Sequence, residues 1–405
     1  MKIAIFSDDY LPESTRVHAK MLHELALELK SLGNEVIVIT PGHPEQQTLL
    51  SVCFCDGVEV WRFKSGLLRG NGYIQRALNE TLLSFRAWMA INDKIKDYPL
   101  DLCINYSPTI FFGPLMHWIK KKQNPYIYLV LRDIFPMWAI DEGIIKEKSI
   151  IAKYFRYFER LNYRASDQIG LMSQSTLNHF KSFYPEYHKL SILPNWANHN
   201  LSDNLLSIGD IRSELGIVDK VIFFYGGNIG HAQDVFNLLA LAKRMESIPE
   251  VHFLFVGQGD CTVNLLGYCK EHELKNVDYL PSVEQSAYEG ILTQVDVGMV
   301  SLAESHTVNH YPGKILGYMK HSLPILACLN PGNDLADLIN DSKAGFGHST
   351  LEKESLFLSA KRLSNSQSLR SSMGGKSRQL LLEKFSTESA TRSILSTLES
   401  GCCSD

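Results

Sequence analysis

Residues 221–245 constrain the fold more than any other stretch. Val-Ile-Phe-Phe-Tyr at 221–225 is a short continuous apolar run, the pattern of a strand covered on both faces of a parallel sheet. Gly226, Gly227 and Gly230 follow, and they allow a tight turn with close backbone approach. Val235, Leu238, Leu239 and Ala242 then recur at helical spacing. Strand, glycine turn and helix start together aim free N–H groups and the positive end of a helix dipole at an anion, usually a phosphate. The turn is not Gly-x-Gly-x-x-Gly and lacks the lysine of a P-loop. Taken alone, it also reads as the ordinary strand-to-helix turn of any α/β protein.

Its setting favours the site. Strand 3–6, a helix with Leu22, Leu25, Ala26, Leu29 and Leu32 on one face, and strand 35–40 form a strand–helix–strand unit near the start. Further strands are expected at 58–63, 102–106, 126–131, 168–172 and 190–193, then at 251–256, 277–280, 295–300 and 325–329. A long helix is expected over 73–96 with Ile74, Leu78, Leu82, Phe85 and Met89 inward. Alternating strands and helices over 405 residues make an α/β protein with two doubly wound, Rossmann-like domains. The expected division is 1–200, 201–375 and a C-terminal segment 376–405, whose helix at about 376–398 follows a Ser/Gly-rich stretch and packs back on the first domain. The Asn/Ser-rich connection 195–209 is the expected hinge.

A net charge of −4 argues against a general nucleic-acid binder. The halves differ: 23 Lys+Arg against 20 Asp+Glu in 1–200 gives +3, and the remaining 17 against 24 gives −7. The eight cysteines form no Cys-x-x-Cys pair, which fits a reducing cytoplasm. The N-terminus reads as a strand, not a signal peptide. No apolar run approaches the roughly 20 residues of a membrane span, so a soluble or peripheral cytoplasmic protein is expected.

Ligands of doubly wound sheets meet side chains at the carboxyl ends of strands. There the first domain offers Asp8, Asp9, Glu13, Arg16 and His18, and further on Arg132 and Asp133. The Arg132–Asp133 pair has two readings, a structural ion pair or a site pair; its position favours the site. His18 is equally well a site group or a helix-start surface residue. Residues 144–164 interleave Lys146, Lys148, Lys153, Arg156, Arg160 and Arg164 with Ile150, Ile151, Tyr154, Phe155, Phe158 and Leu161. This is a surface helix with its apolar side in the core, a basic amphipathic patch on anionic lipid, or both. Lys120, Lys121 and Lys122 beside Trp118 would extend such a patch.

The chain resembles the retaining glycosyltransferases of family 4, which have the GT-B fold. Within them it is most like the branch that builds bacterial O-antigen and capsule, including the L-fucosamine (FucNAc) transferase type. The resemblance spans nearly the whole chain. It rests on Ser-Asp-Asp-Tyr-Leu-Pro-Glu (7–13), Leu-Arg-Asp-Ile-Phe-Pro (131–136), Leu-Pro-Asn-Trp-Ala-Asn (193–198) and Tyr-Gly-Gly-Asn-Ile-Gly-His-Ala-Gln-Asp (225–234). A fifth motif is Tyr-Pro-Gly-Lys-Ile-Leu-Gly-Tyr-Met-Lys-His-Ser-Leu-Pro-Ile (311–325). Where the broad family has an Arg and a Lys on the donor diphosphate, this chain has Asn228 and Gln233. The family's two Glu fall at Asn309 and Gly317, with Glu304 a candidate replacement for the first, and its active-site His falls at Arg132.

The resemblance implies two domains facing each other across a cleft that closes on the donor. It implies transfer of a sugar, such as a 6-deoxy N-acetylhexosamine (FucNAc), from a UDP-sugar to a polyprenyl-diphosphate-linked glycan, with retention. The setting implied is surface polysaccharide (O-antigen, lipopolysaccharide or capsule) synthesis at the inner face of the cytoplasmic membrane. Such a reaction needs mainly electrostatic stabilisation of the departing diphosphate. Lys314, Arg132 and Asp133 are the candidate catalytic groups. Gly227, Asn228, Gly230, Gln233, Gln258, Leu280, Glu304, Gly313 and Lys314 are donor-side candidates, with the N–H groups of 227–230 and 313 included. Glu13, Arg16 and His18 are acceptor-side candidates. There is no Asp-x-Asp, so neither a metal nor another cofactor is expected. The alternatives are a catalytically silent nucleotide-sugar-binding or scaffold subunit and a UDP-sugar 2-epimerase; a dehydrogenase fits neither glycine turn.

Overall fold

The computed structural model describes residues 1–14, 16–68, 73–201, 209–305 and 311–402. Two compact units are present, Met1–Pro194 with Thr387–Asp405, and Asn195–Ser386. The sequence reading places its divisions at 200/201 and 375/376, whereas the units part at 194/195 and 386/387. Residues 202–208 of the expected hinge lie outside the described residues.

The first unit holds β1 (Lys2–Phe6), β2 (Glu35–Pro41), β3 (Leu50–Cys55), β4 (Val58–Phe63), β5 (Leu102–Ser107), β6 (Tyr126–Leu131), β7 (Gln168–Leu171) and β8 (Leu190–Ile192). They form one sheet in the order β3-β4-β2-β1-β5-β6-β7-β8. Every pairing is parallel except β3 with β4. The apolar runs of β1, β5 and β6 are sealed inside, as continuous hydrophobic strands must be when helices cover both faces.

The second unit holds β9 (Val221–Asn228), β10 (Val251–Gln258), β11 (Val277–Leu280), β12 (Val297–Ser301), β13 (Ile325–Leu329) and β14 (Gly345–Ser349). This sheet is wholly parallel, in the order β11-β10-β9-β12-β13-β14. Its core joins Phe223, Tyr225, Phe253 and Phe255 to the helix face of Val235, Leu238, Leu239 and Ala242. The α/β, doubly wound expectation holds for both sheets.

Two strands escape the sequence patterns. β3 is an edge strand whose Val52 and Phe54 are exposed, and β14 carries two glycines and no apolar run. The helix expected over 73–96 is two, Tyr73–Thr81 and Leu83–Lys96. It also faces the other way. Leu83, Ser84, Ala87, Ile91 and Ile95 are buried, whereas Leu78, Leu82, Phe85 and Met89 are 41–59% exposed. Leu83, Ala87, Ile91 and Ile95 of the first stripe pack in the core of the first unit, where Ser84 Oγ donates to Phe111 O and accepts from Leu115 N. The Ile74 side chain lies outside the described residues. The Ser/Gly-rich stretch is helical too, within Lys353–Asn365 and Gln367–Leu380. A π-helical turn, Leu381–Phe385, then leads to the helix Thr387–Cys402, which packs on Val17–Ser31.

Candidate active site

In the second sheet the chain runs outward in opposite directions from β9, whose neighbours are β10 and β12. The carboxyl ends of β9 and β12 therefore flank a topological switch point, where open α/β sheets bind ligands. β9 extends past its apolar run through Gly226 and Gly227 to Asn228. Gly227 adopts φ +121, and a Cβ on Gly257 of β10 would stand 1.8 Å from Gly227 O. Glycine at 257 is thus required for the two strands to run this close. Beyond β9 comes a 3₁₀ turn, His231–Gln233, then the helix Phe236–Arg244. The helix begins just after Val235, where the apolar spacing puts it, with the 3₁₀ turn between it and the glycines. One expected N–H donor is committed, since Ile229 N donates to Gln258 O at 2.9 Å.

Lys314 opens the short helix Lys314–Lys320, with Gly313 at its cap. Tyr318 on that helix accepts from Gly226 N (3.2 Å) and donates to Met299 O (3.1 Å), fixing it against β9 and β12. The Lys314 ammonium lies 3.4 Å from the centre of the Tyr225 ring. It is shut off from solvent and has no hydrogen-bond partner among the described residues. A Cβ on Gly227 would lie 3.9 Å from Lys314 Nζ, so the amine stands beside the glycine turn. Burial holds its pKa well below the usual lysine range.

Around the turn, Asn228 Nδ2 donates to Gln233 Oε1 (2.8 Å) and Tyr225 OH donates to Asn228 O (2.6 Å). Asn228, Gly230 and Gln233 are thus brought together. Gln258 ends β10 and accepts from Ser282 Oγ at 2.9 Å, and Leu280 ends the adjacent β11 half-buried. Glu304 lies exposed in the turn after β12, and Asn309 lies outside the described residues. Gly317 faces another way: a Cβ there would meet Leu292 Cδ1 at 3.3 Å, so a glutamate side chain would press on the neighbouring helix. His231 Nε2 and Asp260 Oδ2 come within 3.7 Å beside the same turn, a pairing the linear sequence does not announce.

The first sheet has its own switch point at β1, between β2 and β5. A cavity of about 490 Å³ lies there. Asp8, Arg16 and Asp133 line it, with Thr109 and Phe111 from the loop after β5 and Phe135 and Trp138 from beyond β6. Arg76 and Glu80, an ion pair at 2.8 Å one helical turn apart, complete the wall. Sequence reasoning missed Arg76, Glu80 and Trp138. The first two show only as an i,i+4 pair of opposite charge, the usual signature of a solvated helix face.

The other acceptor-side candidates stand near this cavity without lining it. Glu13 is held at 2.7 Å by Arg62 of β4. His18 stacks on Tyr106 (5.4 Å, 15°) and lies 3.9 Å from Asp8 Oδ1. Arg132 is buried, donating from Nη1 to Leu193 O (2.5 Å) and from Nη2 to Pro194 O (3.2 Å). It therefore ties the end of β6 to the exit of β8. Burial lowers its pKa, and the neighbouring Tyr106 hydroxyl opposes that shift. Arg132 and Asp133 belong to the first unit and Lys314 to the second.

No protein-family model matches the sequence. The chain is 24% identical over 315 residues to the "Putative colanic acid biosynthesis glycosyl transferase WcaI" of Escherichia coli, covering 74% of this chain and 76% of that one. It is 21% identical over 224 residues to the "Probable glycosyltransferase WbjE" of Pseudomonas aeruginosa, 54% of each chain. Among solved structures, that of Anabaena HepE in complex with UDP superposes with a TM-score of 0.69 at 14% identity, covering 99% of this chain and 100% of that one. The protein is thus a glycosyltransferase with the GT-B fold. More particularly, it is like family 4 and distantly homologous to WcaI and WbjE. Among the described residues, no helix is long and apolar enough to cross a membrane.

Proposed function

We propose that this chain transfers a sugar, with retention, from a UDP-sugar to a lipid-linked glycan in surface polysaccharide synthesis, a 6-deoxy N-acetylhexosamine such as FucNAc being the donor sugar. The observation that carries the reading is the buried Lys314 amine beside Gly227 at the switch point of the second sheet. An unpartnered buried cation is costly unless an anion completes it. A diphosphate at the carboxyl ends of β9 and β12 is the ligand such a site suits. Lys314 then neutralises the leaving diphosphate as the glycosidic bond breaks. The turn residues Asn228, Gly230 and Gln233 hold its oxygens, and Gln258 and Leu280 border the nucleobase. The relative named for colanic acid biosynthesis and the HepE complex with UDP support this reading.

The acceptor is proposed to occupy the 490 Å³ cavity of the first unit. Asp133 and Arg16 meet its polar groups there, and Trp138 offers a flat apolar face to a sugar ring. Glu13 and His18 hold the loop and Asp8 in place. Arg132 acts by fixing the strand end that presents Asp133.

A thermal-shift panel of UDP, GDP, ADP and dTDP, with and without Mg²⁺, tests the donor side. UDP at 100 times its dissociation constant should stabilise the protein by about 2.7 kcal/mol, and Lys314→Ala should abolish most of that shift. Loss of this one preorganised donor should cost about 2–4 kcal/mol in transfer rate. A protein that responds to no nucleotide would be a silent scaffold, and this reading would fall.

A further inference from the structure

The tip of the β3–β4 hairpin meets the helix Val17–Ser31. Asp56 and Gly57 close the hairpin with φ +46 and +79, the two left-handed positions of the type I′ turn that Asp-Gly favours. Lys30 Nζ on the helix donates to Gly57 O and pins the turn. The turn carries the Asp56 carboxylate to 3.0 Å from His23 Nε2. Cys55, the last residue of β3, brings its thiol to the same place, and the ligand atoms of His23, Cys55 and Asp56 all lie within 4.8 Å of one another. None of the three lines the acceptor cavity.

A nitrogen, a sulfur and an oxygen that converge suit a borderline-soft divalent ion, whereas calcium and magnesium take oxygen ligands. Zinc bond lengths of about 2.0–2.3 Å put tetrahedral ligand atoms roughly 3.3–3.8 Å apart. The His23–Asp56 pair is within a few tenths of an ångström of that spacing, and the thiol has at most about 1 Å to move. His23 is itself held in place. It is buried, and its other ring nitrogen, Nδ1, lies 2.8 Å from the hydroxyl of the fully buried Tyr10. An acceptor on the remote nitrogen is what sets the tautomer of a metal-binding histidine. With Nδ1–H donating to the Tyr10 oxygen, Nε2 presents its lone pair to the cluster. The neighbouring cation Arg62 is already engaged by Glu13 at 2.7 Å and by Leu11 O at 2.6 Å. The Asp56 side chain is 75% exposed, which opens a path for the ion and for water as a fourth ligand.

We propose that His23 Nε2, Cys55 Sγ and Asp56 Oδ2 bind a zinc ion that clips the edge hairpin β3–β4 to the helix Val17–Ser31. The Cys55 thiol releases its proton to solvent as the sulfur–zinc bond forms. Burial and the Asp56 carboxylate raise its pKa in the metal-free protein, and the ion's charge reverses that preference. β4 also carries Arg62, which grips Glu13, so the clip steadies the loop that follows β1. The role is structural, and no step of sugar transfer passes through the ion.

Titration of the untagged, chelator-stripped full chain with Zn²⁺ and with Co²⁺ tests the site. Zinc is expected to bind and to raise the melting temperature. Cobalt should give a thiolate-to-metal charge-transfer band in the near ultraviolet, together with the intense visible bands of a tetrahedral site. Cys55→Ser should remove the charge-transfer band. Tyr10→Phe should keep the band and lower affinity roughly 10–100-fold, since only the hydrogen bond to Nδ1 is lost. Asp56→Asn sits at an exposed turn that asparagine also favours, so it should fold normally yet bind zinc at least roughly 100-fold more weakly. Melting without metal reports the folding of each variant. Failure of the wild-type chain to bind either ion at micromolar concentration, or zinc affinity unchanged in Asp56→Asn, overturns the proposal. So does a band that Cys55→Ser leaves intact and Cys261→Ser removes, because the cluster of His231, Asp260 and Cys261 would then hold the ion.

Discussion

At the first residue of Lys314–Lys320, an amine sits against an aromatic ring with no hydrogen-bond partner among the described residues. Its lowered pKa sets the sign of two effects. Charging it costs free energy in the folded, ligand-free protein, so Lys314→Met is expected to raise the melting temperature without nucleotide while losing the UDP shift. A bound diphosphate favours the charged form, so UDP binding should take up a proton and weaken as pH rises. Calorimetry in two buffers of different ionisation enthalpy measures that uptake. Glu159 shows the opposite polarity. Burial pushes its carboxyl up to about 7, although the Tyr184 and Tyr163 hydroxyls donate to it. Its folded pKa is therefore above the unfolded value of about 4.3. Its contribution is full below that value and is lost as pH rises to about 7, a change of roughly 3 kcal/mol. Glu159→Gln keeps an acceptor for both hydroxyls and should flatten this window, raising stability at pH 8 by roughly 1–3 kcal/mol, as read by urea melts across pH.

Among the elements, helix Gln367–Leu380 is the one whose composition conceals it. Gly374 lets it approach the chain at Ser322, where a Cβ would stand 2.0 Å from Ser322 O. Gly374→Ala is therefore expected to destabilise the second unit by about 1–3 kcal/mol in denaturant melts, although alanine favours helices. The buried strands β1, β2, β5, β6, β9, β10, β12 and β13 were legible because a strand covered on both faces must be a continuous apolar run. β3 and β14 were not: β14 carries two glycines and no such run, and β3 exposes Val52 and Phe54 at a sheet edge. The helix at 73–96 carries two apolar stripes, and periodicity alone does not tell which one the core takes. The glycine turn and Lys314 were legible as separate motifs. Their meeting depends on Tyr318 bridging β9 and β12, a contact with no local signature. The cavity wall at Arg76 and Trp138 was hidden for the same reason.

Across the whole molecule, the chain leaves its first unit at Pro194, builds the second, and returns at Thr387. The returning helix buries Ala390 and Ile394 and packs on Val17–Ser31. Removing residues 387–405 should lower the stability of the first unit by roughly 3 kcal/mol or more while leaving the UDP shift of the second in place, giving two separated transitions in calorimetry. This threading also orders events in time. During synthesis, every strand of β9 to β14 is made before the helix that completes the earlier sheet. The first half of the chain thus waits on the ribosome without its closing helix while the nucleotide unit becomes able to fold. Stalled chains ending near residue 386 should accordingly resist protease in the later-made unit and be cut in the earlier-made one.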